Sequence, residues 1–268
     1  MTASISKKQF EDYKNKGFNR IPIVFESLAD LDTPLSIYAK LANLPYSYLL
    51  ESVEGGERFG RYSIIGLPSK KVFKINGHDI SIFYNQKLIE KIEHENPLDY
   101  IDSYLKSFKI PEDVHLPRYS GGLAGYFGYE TIQYIEPKLA KNYLEDKLGL
   151  PDVLLMLSDE VIVIDNISGK LFIVNYIDPS LDNAYENALK KIDVLLAKLL
   201  KGIDLKDEGN FDHSEPVSEF GEEQYKEAVD KIKNYANFSI VGTSLKKEHK
   251  VENEVDLNNV KNLVEKAK

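Results

Sequence analysis

The sequence predicts an α+β fold, a mixed and largely antiparallel sheet with helices packed on it. Short β-type runs and amphipathic helices are interspersed without a regular β-α alternation. One pair of runs is joined by Asn76-Gly77, a strong short-range hairpin signal. Hydrophobic residues make up 43% and charged residues 29%, which supplies apolar material for a core.

The elements follow in order. Lys7 to Lys16 places Phe10 and Tyr13 on one helical stripe, and Ile21 to Phe25 is β-type. Asp32-Thr33-Pro34 is a helix start, with proline where its missing N–H costs nothing. That helix is expected to run through Ile37, Leu41 and Leu44. A β-rich block comes next: Ser47 to Val53, Arg61 to Leu67, Lys71 to Ile75 and Asp79 to Tyr84. From Pro97, Tyr100, Ile101, Tyr104, Leu105 and Phe108 share a helical face. Gly121 to Glu130 is a glycine-aromatic segment in which the glycines are expected to allow close backbone packing while Tyr126, Phe127 and Tyr129 fill the core. Val153 to Leu157, Val161 to Asp165 and Lys170 to Tyr176 are strongly β-type, the last two joined by a loop over Asn166 to Gly169. Asn183 to Leu200 is amphipathic, and so is Glu222 to Tyr235. A weak helix is expected near Leu257 to Ala267.

Charge and composition exclude several functions. With 34 basic and 43 acidic residues the net charge is -9, and no basic stripe suits a phosphate backbone. The absence of cysteine removes disulfides, thiolate metal sites and cysteine nucleophiles. The first seventeen residues lack a signal-peptide core, and the longest apolar run is interrupted by Asp159-Glu160. A soluble, cytoplasmic protein that binds neither nucleic acid nor membrane is expected. The five histidines are scattered, without metal-ligand spacing, and Asp159-Glu160 is expected to be a solvated turn. No catalytic constellation and no metal site emerge.

One segment carries ligand chemistry. Glu51 and Ser52 stand among Leu49, Leu50 and Val53 in what reads as a buried strand, where a carboxylate is costly without a cation. A ligand's α-ammonium would be such a partner. Arg61, after the Gly55-Gly56 loop, could hold the ligand's carboxylate in a forked contact. The alternative is a Glu51–Arg61 cross-strand ion pair with Ser52 facing solvent, and spacing alone favours it.

Leu49-Leu50-Glu51-Ser52, the glycine loop and Gly60-Arg61-Tyr62-Ser63-Ile64-Ile65-Gly66 resemble the feedback-inhibitor segment of the anthranilate synthase component I family. The resemblance extends over Asn19 to Leu44, Gly121 to Glu130, Leu150-Pro151-Asp152-Val153 and Glu222-Glu223-Gln224-Tyr225 with its helix. It implies that Glu51, Ser52 and Arg61 help form an allosteric L-tryptophan site. It also implies a division into an amino-terminal tryptophan-sensing domain (1–205), a linker (206–218), the first helix of a chorismate-binding domain (219–236) and a divergent tail (237–268).

In that family a longer chorismate-binding domain binds chorismate and Mg²⁺. There chorismate and ammonia become anthranilate and pyruvate, and a glutamine amidotransferase subunit (component II) supplies the ammonia. The resemblance ends near Tyr235, so this chain is expected to be inactive alone and to hold no cofactor itself. The alternatives are half of a split synthase needing a separate chorismate-binding chain, the large subunit of aminodeoxychorismate synthase, or a nonfunctional remnant.

Overall fold

The computed structural model describes residues 3–29, 32–51, 60–136, 138–139, 148–203, 215, 217–218, 220–233, 258 and 261. The chain divides into two units, residues 1–206 and 207–268. Of the second, the described helical element is α5 (Glu222–Lys233).

The first unit is built on two five-stranded antiparallel sheets. The first has the order β1 (Ile21–Leu28), β10 (Lys170–Ile177), β9 (Glu160–Asp165), β3 (Tyr62–Gly66) and β2 (Tyr48–Glu51). The second runs β6 (Lys87–Glu93), β5 (Asp79–Tyr84), β4 (Lys71–Asn76), β8 (Val153–Ser158) and β7 (Gly122–Phe127). The chain passes between sheets twice, from β3 to β4 and from β8 to β9. Gly66 pairs with Val161 in one sheet and Val72 with Met156 in the other, so both crossings lie at one seam.

Sequence explains why these strands are central. β9 reads Glu-Val-Ile-Val-Ile-Asp, and Val161, Ile162 and Val163 are fully buried. β-branched residues on both faces suit a strand covered on both sides. Helix α4 (Ala184–Leu199) buries Ala184, Ala188, Ile192 and Leu195, a stripe at helical spacing that packs on β10. Helix α1 (Lys7–Asn15) starts at a capping box between Ser6 and Gln9. Helix α2 (Pro34–Leu41) starts at Thr33, whose side chain accepts from the Ser36 N–H. A smaller core of Phe73, Ile75, Ile80, Ile82, Val153 and Leu155 lies under α3 (Pro97–Lys106) and Ile101. There the Tyr104 ring meets Phe73 edge-on at 4.8 Å.

The predicted α+β class holds, with the strands sorted into two antiparallel sheets. Four local expectations are corrected. α2 stops at Leu41, and Leu44 beyond it is 65% exposed. β2 is an edge strand and not a buried one: Leu50 and Glu51 are exposed. The hairpin loop is Gly77-His78, because Asn76 still pairs with Asp79 and Gly77 takes the positive φ of +53°. β6 is an additional strand, and its Lys-Leu-Ile-Glu-Lys-Ile-Glu sequence is that of a charged, exposed edge. The stretch near Leu257 to Ala267 lies outside the described residues, Asn258 and Lys261 excepted.

Candidate functional site

The β2–β3 hairpin brings the sequence-predicted residues to one end of the first sheet. Glu51 pairs in register with Ser63, two residues beyond Arg61. Ser52 lies outside the described residues. The Glu51 carboxylate is exposed and, among the described residues, has no ion-pair or hydrogen-bond partner. The Glu51–Arg61 pair is therefore not formed among them.

Arg61 turns instead to Asp165. Its Nε lies 3.1 Å from both carboxylate oxygens and its Nη2 lies 2.7 Å from Oδ2. The fork is the geometry in which guanidinium binds carboxylate best. Asp165 also accepts the backbone N–H groups of Ile167 and Ser168, which shapes the loop into β10. Arg61 and these N–H groups outweigh burial and hold the Asp165 carboxyl down at about 2. Arg61 remains half exposed, and among the described residues its Nη1 has no hydrogen-bond partner. Beside it lies a cavity of about 370 Å³ that also borders Arg118, Lys170 and Phe172.

A folded-state carboxyl held below its unfolded value near ~4 stabilises the fold fully above that value. The contribution is lost as pH falls toward about 2. Asp165→Asn is therefore expected to unfold at lower urea concentration than the native chain at pH 6, with the gap closing on acidification. Urea midpoints measured down the pH series check this.

The seam between the sheets holds a buried cation that the sequence did not mark. Arg20 is 4% exposed. Its Nη2 donates to the Ser158 carbonyl at 2.9 Å and its Nη1 lies 3.0 Å from Asp159 Oδ1. The guanidinium stands 4.5 Å from the ring centroids of both Phe108 and Tyr176. Burial pushes the Asp159 carboxyl up, and Arg20 opposes that shift. Glu160 is ion-paired with Lys191 of α4. Asp159-Glu160 is thus a paired element of the seam and not a merely solvated turn. Tyr104 nearby is pushed up to about 12 by burial and then by Asp159.

The glycine-aromatic segment forms β7 and a 3-10 turn over Tyr129–Tyr134. Close backbone approach is confirmed at Gly125, where a Cβ would stand 1.9 Å from the Leu154 carbonyl oxygen. The aromatic part of the expectation is corrected. Tyr126 and Phe127, at the far end of β7 from the core-packed Leu123, are 39% and 54% exposed, and Tyr129 in the 3-10 turn is 90% exposed. Among the described residues no group of three or more His, Asp or Glu could hold a metal ion. No described helix is long and apolar enough to cross a membrane.

Residues 46–237 match the sequence family described as chorismate binding enzyme. The chain is 48% identical over 235 residues to anthranilate synthase component 1 of Neisseria meningitidis, covering 86% of this chain and 48% of that protein. It is 43% identical over 237 residues to the protein of the same name from Pseudomonas aeruginosa, again covering 86% and 48%. The chain thus spans about half the length of the curated relatives it matches. A crystal structure of anthranilate synthase component I from Streptococcus pneumoniae aligns at a TM-score of 0.48 and 19% identity, covering 78% of this chain and 44% of that one. With the family match covering most of the sequence, this chain belongs to the chorismate-binding enzyme family.

Proposed function

We propose that this chain is the effector-sensing part of an anthranilate synthase component 1, and that its effector is L-tryptophan, bound at Glu51, Ser52 and Arg61. The observation that carries this reading is the exposed Glu51 carboxylate, without a partner among the described residues, at the same sheet end as Arg61. A carboxylate and a guanidinium match the ammonium and carboxylate of an α-amino acid. Arg61 keeps its fork on Asp165 and offers Nη1 to the ligand, so Asp165 orients the cation. Several relatives named anthranilate synthase component 1 support the choice of amino acid.

In this reading the complete protein converts chorismate and ammonia to anthranilate and pyruvate with Mg²⁺, the first step of tryptophan biosynthesis. A glutamine amidotransferase, component II, is its partner. Tryptophan then regulates by binding one of two arrangements more tightly than the other.

Ligand binding to the folded state raises its melting temperature by mass action. L-Tryptophan is expected to raise the melting temperature of the native chain. Glu51→Gln, which removes one exposed charge, is expected to melt normally without ligand and to bind about tenfold more weakly. An equal shift in the native chain and in Glu51→Gln counts against the site.

A further inference from the structure

The seam holds a second cavity, of about 640 Å³, at the opposite end of β9 from Arg61. That volume lies in the range of small-molecule sites. Asn175 of β10 borders it and is 7% exposed, yet among the described residues its carboxamide has no hydrogen-bond partner. Its polar atoms keep access to solvent, so the carboxamide is open to a group that enters the cavity.

The lining holds four cations, Arg20, Lys70, Lys71 and Lys191, and three carboxylates, Asp159, Glu160 and Asp178, the last accepting from the Ser180 N–H and hydroxyl. Asp159 is in contact with Arg20, and Glu160 with Lys191. Lys70 and Lys71 also border the cavity, and neither has a carboxylate in contact among the described residues. Both act on Asp159 only more weakly than Arg20 does. The Lys71 ammonium lies 5.1 Å from the Tyr104 ring centroid and 3.3 Å from its hydroxyl. The remaining wall is aromatic and aliphatic, with Tyr84, Tyr104 and Phe108 on one side and Ala184 and Ala188 of α4 on another. Small α4 residues leave room there, while the rings offer flat apolar surface.

We infer that this cavity binds a small aryl carboxylate, with its charge on Lys70 and Lys71, its ring against the tyrosines and a polar substituent on Asn175. An anion answers the two lysines, and a donor or acceptor on the ring can meet the solvent-reached Asn175 amide. The site is independent of the Glu51–Arg61 site, and either can fail alone.

The test is a chemical-shift titration of the isotope-labelled full chain with 4-hydroxybenzoate, using neutral 4-hydroxybenzyl alcohol as control. Saturable shifts are expected at the Asn175 side-chain amide and along the Ala184–Lys191 face. The alcohol is expected to bind at least about tenfold more weakly. The double variant Lys70→Gln/Lys71→Gln and the single variant Asn175→Leu are each expected to weaken 4-hydroxybenzoate by a similar factor. Asn175→Leu is expected to keep the native melting temperature, and the lysine double variant, which loses the Lys71–Tyr104 contact, to stay folded with a small fall at most. No saturation at millimolar ligand overturns the inference. So do equal binding of acid and alcohol, unchanged affinity in the variants, or shifts confined to the β2–β3 end.

Discussion

Gly125→Ala is expected to destabilise the 1–206 unit by about 3 kcal/mol or more, among the largest effects of any single methyl group in this chain. The added Cβ would stand 1.9 Å from the Leu154 carbonyl oxygen and 2.9 Å from its carbon. Those atoms are backbone, so no side chain can rotate away. β7 must leave its ladder with β8, in which Gly125 faces Leu155. The glycine also holds a φ of +156°, which a side chain disfavours. Domains of this size lose about 2–4 °C of melting temperature per kcal/mol, so a fall of roughly 6–12 °C is expected. Gly122→Ala separates the two causes. Gly122 has a φ of +123° with nothing within 4 Å of its would-be Cβ, so alanine there pays the conformational cost alone, about 1–3 kcal/mol. Equal melting temperatures for the two variants would contradict the steric account.

Arg20→Met is expected to cost about 2 kcal/mol, below the range for a fully buried ion pair because the Asp159 side chain is 41% exposed. Methionine keeps much of the packing against Phe108 and Tyr176, so the loss falls on the polar contacts. The Ser158 carbonyl loses its donor, and Asp159 is left partly buried without its cation. The pH dependence gives the sign. Burial already pushes the Asp159 carboxyl up, and without Arg20 it rises further. An acid whose folded pKa is raised costs stability increasingly as pH rises through its unfolded value near ~4. The defect in Arg20→Met is therefore expected to be larger at pH 7 than at pH 4. Adding Asp159→Asn should recover part of it at pH 7, as a double-mutant cycle would measure. A defect of equal size at both pH values would mean that lost packing, and not the stranded carboxylate, is responsible.

Much of the fold was legible because its signals are local. The β9 and β10 runs and the α4 stripe each announce their own period, and the Asn76-Gly77 hairpin was placed to within one residue. β6 was not, because an exposed edge strand rich in lysine and glutamate has no buried face to impose alternation. The aromatic residues of β7 were assigned to the core because ring size suggests burial. Only Leu123, early in the strand, reaches the core, and the exposed part is the end that carries Tyr126 and Phe127.

The site was legible only as far as neighbours in sequence reach. Glu51 and Arg61 stand close along the chain, and their shared sheet end could be anticipated. Asp165, the actual partner of Arg61, is 104 residues away. Arg20 carries no sequence signal at all, since its contacts come from Ser158 and Asp159, the former 138 residues later. Long-range polar pairs are set by topology, and local pattern does not contain it.

The central claim is that the Glu51–Arg61 end of the sheet holds an amino acid, and the composition of the chain makes it directly measurable. The protein has 17 tyrosines and no tryptophan, so with excitation beyond tyrosine absorption free L-tryptophan is the one indole emitter in the cuvette. Titrating the chain into L-tryptophan is expected to move the emission to shorter wavelength, saturably, with a much smaller shift for Glu51→Gln. Emission that stays at its aqueous position even at high protein concentration would contradict the account.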